Sequence, residues 1–134
     1  METKSLMVEV ITPVKKYEFE NISAFFAPGK LGSFEVLPGH AALISEIVVG
    51  VIKLKSNGDT EQIAVSTGYA EVNDDKIRVL VESAETADEI DVNRAEAARK
   101  RAEERLKNKT PEIEIDRAEF ALKKAINRLK LKSH

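Results

Sequence analysis

The chain has 134 residues and a formal net charge of −2 at pH 7, which is enough for one compact domain with an appendage but too little for two ordinary domains. Because it has no cysteine and only two histidines, its composition excludes disulfide frameworks and cysteine nucleophiles and argues against a histidine metal cluster or a Ser-His-Asp set. The longest uncharged stretch, VLPGHAALIS, is too short to span a membrane, and METKSLMVEVIT is neither a signal nor a transit peptide, so we expect a reducing, cytosol-like setting.

The first part of the chain has the alternation of β-strands. LMVEVIT places Leu6, Val8 and Val10 on one face. Further runs rich in β-branched and aromatic residues are ISAFFA, SFEVL, IVVGVIKLK, QIAVST, YAEVN and KIRVLVE. Turn residues separate these runs, and SNGD at 56–59 predicts a two-residue hairpin. Seven or more short strands predict a sandwich or a flattened barrel.

The pattern becomes helical near Ala84, and from Asp91 onwards there is no glycine. Asp91 is a good N-cap for a first helix, although Thr86 with Glu89 could begin a turn earlier. The inward stripe of this helix is predicted to be Ala95, Ala98, Ala102 and Leu106.

A second helix is predicted after the segment KNKTPE, where Thr110 can cap it and Pro111 suits its first position. Its apolar stripe is Ala118, Leu122, Ala125 and Leu129, widened by Ala121 and Ile126. Two alanine-lined helices joined by a short turn predict an antiparallel hairpin with close backbone approach. Facing alanines bury little apolar area at about 25 cal/mol per Å², so the hairpin is either a switch of marginal stability or a permanently docked element.

Charge is divided unevenly along the chain. Residues 1–90 have a net charge of −7, and residues 91–134 have one of +5. This asymmetry indicates two units that meet different partners, although a solvated basic helical pair has the same composition. Arg94 and Arg101 are seven residues apart, so both leave one face of the first helix, about 10 Å apart along its axis.

The sequence has no recognisable catalytic motif. Neither GxxxxGK nor GxGxxG occurs, and the carboxylates follow the pattern of solvated faces. We therefore predict no catalytic residue and no metal site. The basic part contains one aromatic residue, Phe120, and is interleaved with acids, which argues against nucleic-acid binding.

Two segments resemble a known family, the epsilon subunits of F-type ATP synthases. GSFEVLPGHAALIS is similar to that family's LPGH segment, and VSTGYAEVNDDKIRVLVESAETADEIDVNRAEAARKRAEERL is similar to its stretch from the last β-strands into the first C-terminal helix. The resemblance covers about Val8 to Leu129. It implies an α+β fold, with an antiparallel β-sandwich of about ten strands over 1–87 and an antiparallel two-helix hairpin over 88–134.

The resemblance also implies a function without catalysis by this chain. Such subunits are rotor components of the central stalk that bind the gamma subunit and the c ring. They help to couple ion translocation to ATP synthesis, and they restrain ATP hydrolysis when their C-terminal helices extend into the catalytic head of alpha and beta subunits. No cofactor is required, and the membrane is reached only through the complex, at the cytoplasmic face of a bacterial cell membrane or of a plastid thylakoid. The rival interpretation is an unrelated β-sandwich adaptor whose basic hairpin binds an acidic partner.

In some bacterial members of the family, a motif similar to Ile90-Asp91-Val92-Asn93-Arg94-Ala95 binds ATP as a regulatory ligand. The resemblance implies that Glu85 contacts the ribose. It implies an adenine site formed by Ile90, Asp91 and Ala95, and phosphate contacts from Arg94, Arg101, Lys124 and Arg128. Family members that bind ATP usually have arginine at position 124, and lysine there keeps the charge but loses the bidentate fork.

Helix geometry supports part of this set independently. If the hairpin turns near Lys109, Arg94 lies opposite Lys124 or Ala125, and Arg128 lies opposite Asp91. Lys124 and Arg128 share a face because they are four residues apart. Converging cations indicate an anion, whereas the alternative is that these side chains are simply solvated.

The resemblance implies two further contact sets. The contact with the c ring or stalk involves a loop tip and the LPGH loop: Gly29, Lys30, Leu31, Gly32, Ser33 and His40. The inhibitory contact with an acidic segment of the beta subunit involves the basic tail: Lys123, Arg128, Lys130 and Lys132. In the alternative interpretation, the glycines are plain turn residues, His40 is a structural loop residue, and the tail is a solvated helix end.

Overall fold

The computed structural model describes residues 4–108 and 112–133. The chain forms two compact units, Met1–Glu85 and Thr86–His134, whereas the sequence prediction places the division between residues 87 and 88. Within the described ranges, neither helix combines the length and the apolarity needed to cross a membrane.

The first unit is a β-sandwich. Its ten strands are β1 Leu6–Ile11, β2 Lys16–Ile22, β3 Ala24–Gly29, β4 Gly32–Val36, β5 Leu43–Ile47, β6 Gly50–Ser56, β7 Asp59–Val65, β8 Gly68–Asn73, β9 Lys76–Val81 and β10 Ala84–Thr86. The strand order is β10-β7-β6-β3-β5-β8-β9-β1-β2, and β4 pairs with β3. This confirms the predicted fold class. One pairing, between β1 and β9, is parallel, whereas β8–β9, β5–β8 and β6–β7 are antiparallel.

A single hydrophobic core explains why these segments are strands. In β9, Ile77, Val79 and Val81 point inward, and the alternate residues point outward, as their spacing predicts. The largest completely buried side chain is Phe25. The sheet curls over this core so that β2 meets β6, where the Ser56 hydroxyl donates to the Asn21 carbonyl at 3.1 Å. The sandwich is therefore closed around residues from all ten strands.

Two tight hairpins follow the predicted turn chemistry. Asn57 and Gly58 join β6 to β7 with φ angles of +46° and +87°, which confirms the hairpin predicted from SNGD. Asp74 and Asp75 join β8 to β9 with φ angles of +50° and +61°. Asp and Asn tolerate this left-handed backbone better than most other residues, so both turns can be formed without glycine at every position.

The second unit begins with two successive caps. A single 3-10 turn, Ala87–Glu89, is closed by the Thr86 backbone N–H, which donates to Glu89 Oε1 at 3.0 Å. Helix α1, Val92–Lys107, is capped by Asp91, whose Oδ1 accepts from the Arg94 backbone N–H at 3.1 Å. Both predicted helix starts are thus present, one after the other. Thr110 and Pro111, the predicted start of the second helix, lie outside the described residues.

Helix α2, Glu112–Lys132, packs antiparallel to α1, and the Lys132 ammonium donates to the Ala87 carbonyl at 2.9 Å. The helices meet through alanine, as predicted: the fully buried positions of the stripes are Ala95, Ala102, Ala118 and Ala125. The remaining stripe residues, Ala98, Leu106, Leu122 and Leu129, are half-buried. The prediction for Ile126 is wrong, because this side chain is exposed, whereas Leu131, outside the predicted stripe, is buried.

Candidate functional site

The hairpin has two different sides, one on each flank of its alanine interface. On one side, a groove of about 520 Å³ is lined by Val92, Glu96, Arg99, Ile126, Leu129, Lys130, Lys132 and Ser133. We call this the groove flank. Residues that are rotated about 100° around each helix axis from the alanine stripe, away from the groove, lie together on the opposite side of the hairpin. That opposite side, the cation flank, carries Arg94, Arg101, Lys124 and Arg128.

One hydrogen bond relates the ends of the two helices that carry the cation flank. The Lys132–Ala87 hydrogen bond makes the start of the unit level with the end of α2. Arg94 lies in the first turn of α1 and Arg128 lies near the end of the antiparallel α2, so both belong to the same end of the hairpin. The backbone thus allows cations of both helices to face one anion.

The cations of the two helices differ in their surroundings. Arg94 and Arg101 are exposed, and neither forms an ion pair with a described residue. Lys124 is half-buried, and its ammonium lies 4.8 Å from the centroid of the Phe120 ring. Arg128 is also half-buried and has an interaction partner within the chain. The α1 arginines are therefore the groups most accessible to a ligand from solution.

The residues implied to contact adenine and ribose are less open. Ile90 and Ala95 are 4% and 3% exposed, so little of either side chain can meet a ligand in this conformation. Asp91 is exposed, but one of its oxygens already caps α1. Glu85 lies in β10 and belongs to the first unit. The arginines of the cation flank on α1 are therefore exposed, whereas Ile90 and Ala95 are buried.

On the groove flank, apolar side chains lie between opposite charges. Val92 and Ile126 are exposed large hydrophobic residues at this surface, and Leu129 lies beside them. Arg99 pairs with Glu96 and lies 3.8 Å from Glu103. Of the residues implied in inhibition, Lys130 and Lys132 line this groove, and Arg128 lies on the cation flank. Lys123 is exposed. The predicted inhibitory set is therefore divided between different surfaces.

In the sandwich, the loop tip between β3 and β4 projects a single apolar side chain. Leu31 is completely exposed. Its neighbour Lys30 contacts Glu46 twice. The Lys30 backbone N–H donates to the Glu46 carbonyl at 3.0 Å, and Lys30 Nζ lies 3.4 Å from Glu46 Oε2. Gly29 is required for a close approach, since an added Cβ would lie 2.7 Å from the Gly32 carbonyl oxygen. Gly32, with φ +126°, and Ser33 continue the turn into β4.

The structure does not bring His40 to this tip. The strand register places Gly29 beside Ile47 and Ile47 beside Gly68, so the tip lies at the end of the sheet where β8 begins. The LPGH loop lies at the other end of β8, where the Gly39 backbone N–H donates to Asp75 Oδ1 at 2.7 Å. The length of β8 separates these ends by about 17 Å. Leu31 and His40 therefore lie at opposite ends of the sheet.

The outer face of β5, β8, β9 and β1 carries an apolar surface that sequence reasoning missed. Cross-strand register aligns Tyr69 with Leu80 and Leu80 with Ile11. Tyr69 and Leu80 are 57% and 50% exposed, and Ile44 on β5 is 75% exposed. We call Ile11, Ile44, Tyr69 and Leu80 the apolar face. The signal in the sequence was KIRVLVE, where Leu80 continues an apolar run onto the face that should be polar.

Charges border the apolar face. Glu9 on β1 is buried although it points outward, and its Oε2 lies 3.7 Å from Arg78 Nε on β9. On β2, a hydrogen bond from Lys16 to Glu18 raises the pKa of Lys16, and the charges of Glu18 and Glu9 act in the same direction. The border thus presents both signs of charge around an apolar centre, an arrangement common at protein interfaces. Among the described residues, no group of His, Asp and Glu side chains could hold a metal ion.

Comparison with known proteins identifies the class of protein to which this sandwich and hairpin belong. The model of the beta-sandwich domain of the ATP synthase delta/epsilon chain matches residues 5–87, and the model of that chain's long alpha-helix domain matches residues 88–133. The chain therefore belongs to the delta/epsilon chain family of the ATP synthases. It is a subunit of an enzyme complex, and the processes it serves are ATP synthesis and ion transport.

Its relatives point to the epsilon chain in particular. The chain is 48% identical to the ATP synthase epsilon chain of Pelotomaculum thermopropionicum over 110 residues, which cover 82% of each protein. It is 47% identical to that of Geobacter metallireducens over 108 residues, which cover 81% of this chain and 78% of the relative. The resemblance inferred from the LPGH and IDxxRA segments is confirmed, and an unrelated adaptor is excluded.

Solved structures support the fold. A chain of the Euglena gracilis mitochondrial ATP synthase, from a structure of OSCP, F1 and the c-ring in rotational state 1, is similar with a TM-score of 0.81. That match has 20% identity and covers 98% of this chain and 83% of the other. A chain in the central stalk and c-ring structure of the Tetrahymena thermophila mitochondrial ATP synthase has a TM-score of 0.61, 16% identity, and coverage of 97% and 99%.

Proposed function

We propose that this chain is a non-catalytic rotor subunit of the central stalk, held by the gamma subunit and the c ring at the cytoplasmic face of a bacterial membrane. Its sandwich makes the permanent contacts, and its hairpin restrains ATP hydrolysis and senses ATP. The observation that carries the regulatory part is the alanine interface between α1 and α2. An element held together so weakly can be opened by the energies that ligands and partners supply.

The strength of that interface can be estimated from its four buried alanines, Ala95, Ala102, Ala118 and Ala125. At about 0.8 kcal/mol for each buried methyl-sized group, they contribute about 3 kcal/mol, to which the half-buried Leu106, Leu122 and Leu129 add. A ligand must supply about 5.5 kcal/mol of differential affinity to move a two-state element from 1:99 to 99:1. The hairpin is therefore within the range of an ordinary nucleotide or protein contact.

The apolar face is our proposed docking surface for the gamma subunit. Tyr69 and Leu80 form a continuous cross-strand pair, and Ile44 extends the surface along β5. Exposed aromatic and aliphatic side chains with a charged border favour a protein partner over solvent. The c-ring contact belongs at the opposite end from His40, at the Leu31 tip, so we assign His40 to the stalk side.

The groove flank is our proposed inhibitory surface. Lys130 and Lys132 supply positive charge next to the apolar side chains of Ile126 and Leu129. An acidic helix of the catalytic head, such as a segment of the beta subunit, would meet both features. Lys123 is also exposed, and it extends the positive charge of α2.

The cation flank is our proposed ATP site. Arg94 and Arg101 are open to solvent, and Lys124 and Arg128 are held in place by contacts within the chain. Only the closed hairpin brings cations of both helices to one side, so ATP would favour the closed state through its differential affinity. ATP is a regulatory ligand in this proposal and no cofactor is required.

Truncation of the hairpin tests whether the sandwich alone binds gamma and the hairpin alone inhibits ATP hydrolysis. A chain that ends at Asp88 keeps every residue of the sandwich core, so we expect it to fold and to bind gamma with unchanged affinity. It should no longer inhibit ATP hydrolysis by the reconstituted synthase. Inhibition by the truncated chain equal to that by the full chain would mean that the hairpin is not the brake.

A further inference from the structure

Among the residues that the structure describes, the LPGH loop between β4 and β5 has one hydrogen bond to another element. Within the loop, the His40 backbone N–H donates to the Leu37 carbonyl at 3.1 Å, and His40 Nδ1 lies 2.7 Å from the Ala41 carbonyl. The one hydrogen bond to another element, among the described residues, is the 2.7 Å bond from the Gly39 backbone N–H to Asp75 Oδ1. Gly39 has φ +86°, so the backbone that directs this N–H suits glycine.

Asp75 is itself fixed by its backbone. It occupies the second left-handed position of the β8–β9 turn, after Asp74. Its carbonyl also accepts from the Met7 backbone N–H at 2.9 Å, which ties the turn to the beginning of β1. One residue therefore joins three segments, and its carboxylate is aimed at the loop by constraints that do not depend on the loop.

Two side chains of the LPGH loop, Leu37 and His40, are exposed to solvent. Leu37 is 49% exposed, His40 is exposed, and the loop leads directly into β5, where Ile44 belongs to the apolar face. A loop with one external hydrogen bond has many alternative conformations, and ordering them on binding lowers affinity. A bond that preorganises the loop would remove part of that cost.

We propose that Asp75 is a positioning residue for docking of the gamma subunit. Its carboxylate holds the loop 37–42 so that Leu37 and His40 extend the apolar face. This inference rests on the proposed gamma docking surface and adds a residue that does not itself contact the partner. A charge-assisted bond to a backbone N–H is strong enough to control a loop for which the described residues supply no other hydrogen bond to another element.

The β8–β9 turn offers a matched pair of variants. Asp75→Ala and Asp74→Ala place alanine in the same left-handed backbone and incur similar strain, but only Asp75→Ala removes the bond to Gly39. Asp75→Asn keeps an acceptor oxygen and tolerates the left-handed backbone, so it should rescue most of the wild-type behaviour. Tyr69→Asp serves as the reference variant that damages the apolar face itself.

The experiment measures two properties of the full-length variants, amide exchange at Gly39 by NMR and affinity for the isolated gamma subunit by calorimetry. For Asp75→Ala we expect Gly39 exchange roughly tenfold faster and gamma affinity roughly tenfold weaker. Asp74→Ala should match the wild type in both, and Asp75→Asn, which keeps the acceptor but loses its charge, should show a much smaller loss than Asp75→Ala.

The outcomes separate this proposal from the function on which it rests. If Tyr69→Asp weakens gamma binding but Asp75→Ala leaves it unchanged, the positioning role is overturned and the docking surface stands. Equal losses in Asp74→Ala and Asp75→Ala would attribute the effect to the turn and also overturn it. If Tyr69→Asp has no effect either, the docking surface itself is wrong, and the positioning role falls with it.

Discussion

Enlarging one alanine at the helix interface should open the hairpin without touching the sandwich. Ala102 on α1 is 2% exposed and belongs to the buried alanine stripe between the helices. Replacing it with leucine adds three carbon atoms to a site with no room for them, and overpacking of this kind costs about 1–3 kcal/mol. At about 1.4 kcal/mol per factor of ten, the open hairpin should become roughly 5- to 150-fold more populated.

The matched control is Ala97→Leu, because Ala97 is exposed on the same helix and the change in helix propensity is the same. Amide exchange of α1 and α2 should accelerate in Ala102→Leu and stay near wild type in Ala97→Leu. Because ATP needs the closed hairpin, the apparent ATP affinity of Ala102→Leu should fall in proportion to the fraction of hairpins that remain closed. The sandwich amides serve as an internal reference, since their core is separate. Equal exchange in the two variants would refute the idea that the alanine interface limits opening.

Two further predictions concern charge. Calorimetry should show that Arg94→Ala loses about 1.5–3 kcal/mol of ATP binding free energy, the usual scale for a charged hydrogen bond. The exposed control Lys100→Ala should lose little, and Lys124→Arg should bind ATP more tightly. If the wild-type protein binds no ATP at millimolar nucleotide, the arginines of the cation flank are simply solvated. Inhibition of ATP hydrolysis should weaken as ionic strength rises, because exposed charges such as Lys130 are screened within about 8 Å at physiological salt. Inhibition that does not change with salt concentration would instead indicate apolar packing through Ile126.

The strands and helices could be predicted because their signals are local. Alternation in KIRVLVE, the left-handed turn at Asn57-Gly58 and the Asp91 cap each depend on a few neighbouring residues, and the structure confirms all three. The alanine stripe was equally readable, since helical period alone places Ala95 and Ala102 on one face.

The parts that were missed depend on pairings between distant segments. Nothing local indicates that β1 runs parallel to β9, and it is this pairing that aligns Ile11 with Leu80 on the apolar face. Strand register likewise separates Leu31 from His40, which the family resemblance places in one contact set. Ile126 was assigned to the interface by its neighbours' spacing, but alanine-to-alanine contact brings the helices together along a narrow stripe and leaves it on the groove flank.

The two sides of the hairpin link nucleotide binding to inhibition through one equilibrium between a closed and an open hairpin. The cation flank needs both helices, because Arg94 comes from α1 and Arg128 from α2. The groove flank also needs both, because Val92 comes from α1 and Ile126 from α2. If the brake used the intact groove, ATP would strengthen inhibition by favouring the closed hairpin. If the brake uses the separated α2 helix, with the apolar residues of the groove and interface uncovered, ATP must weaken it. Two sites linked through one equilibrium are reciprocal, so the sign of the ATP effect on inhibition reports which state of the hairpin contacts the catalytic head.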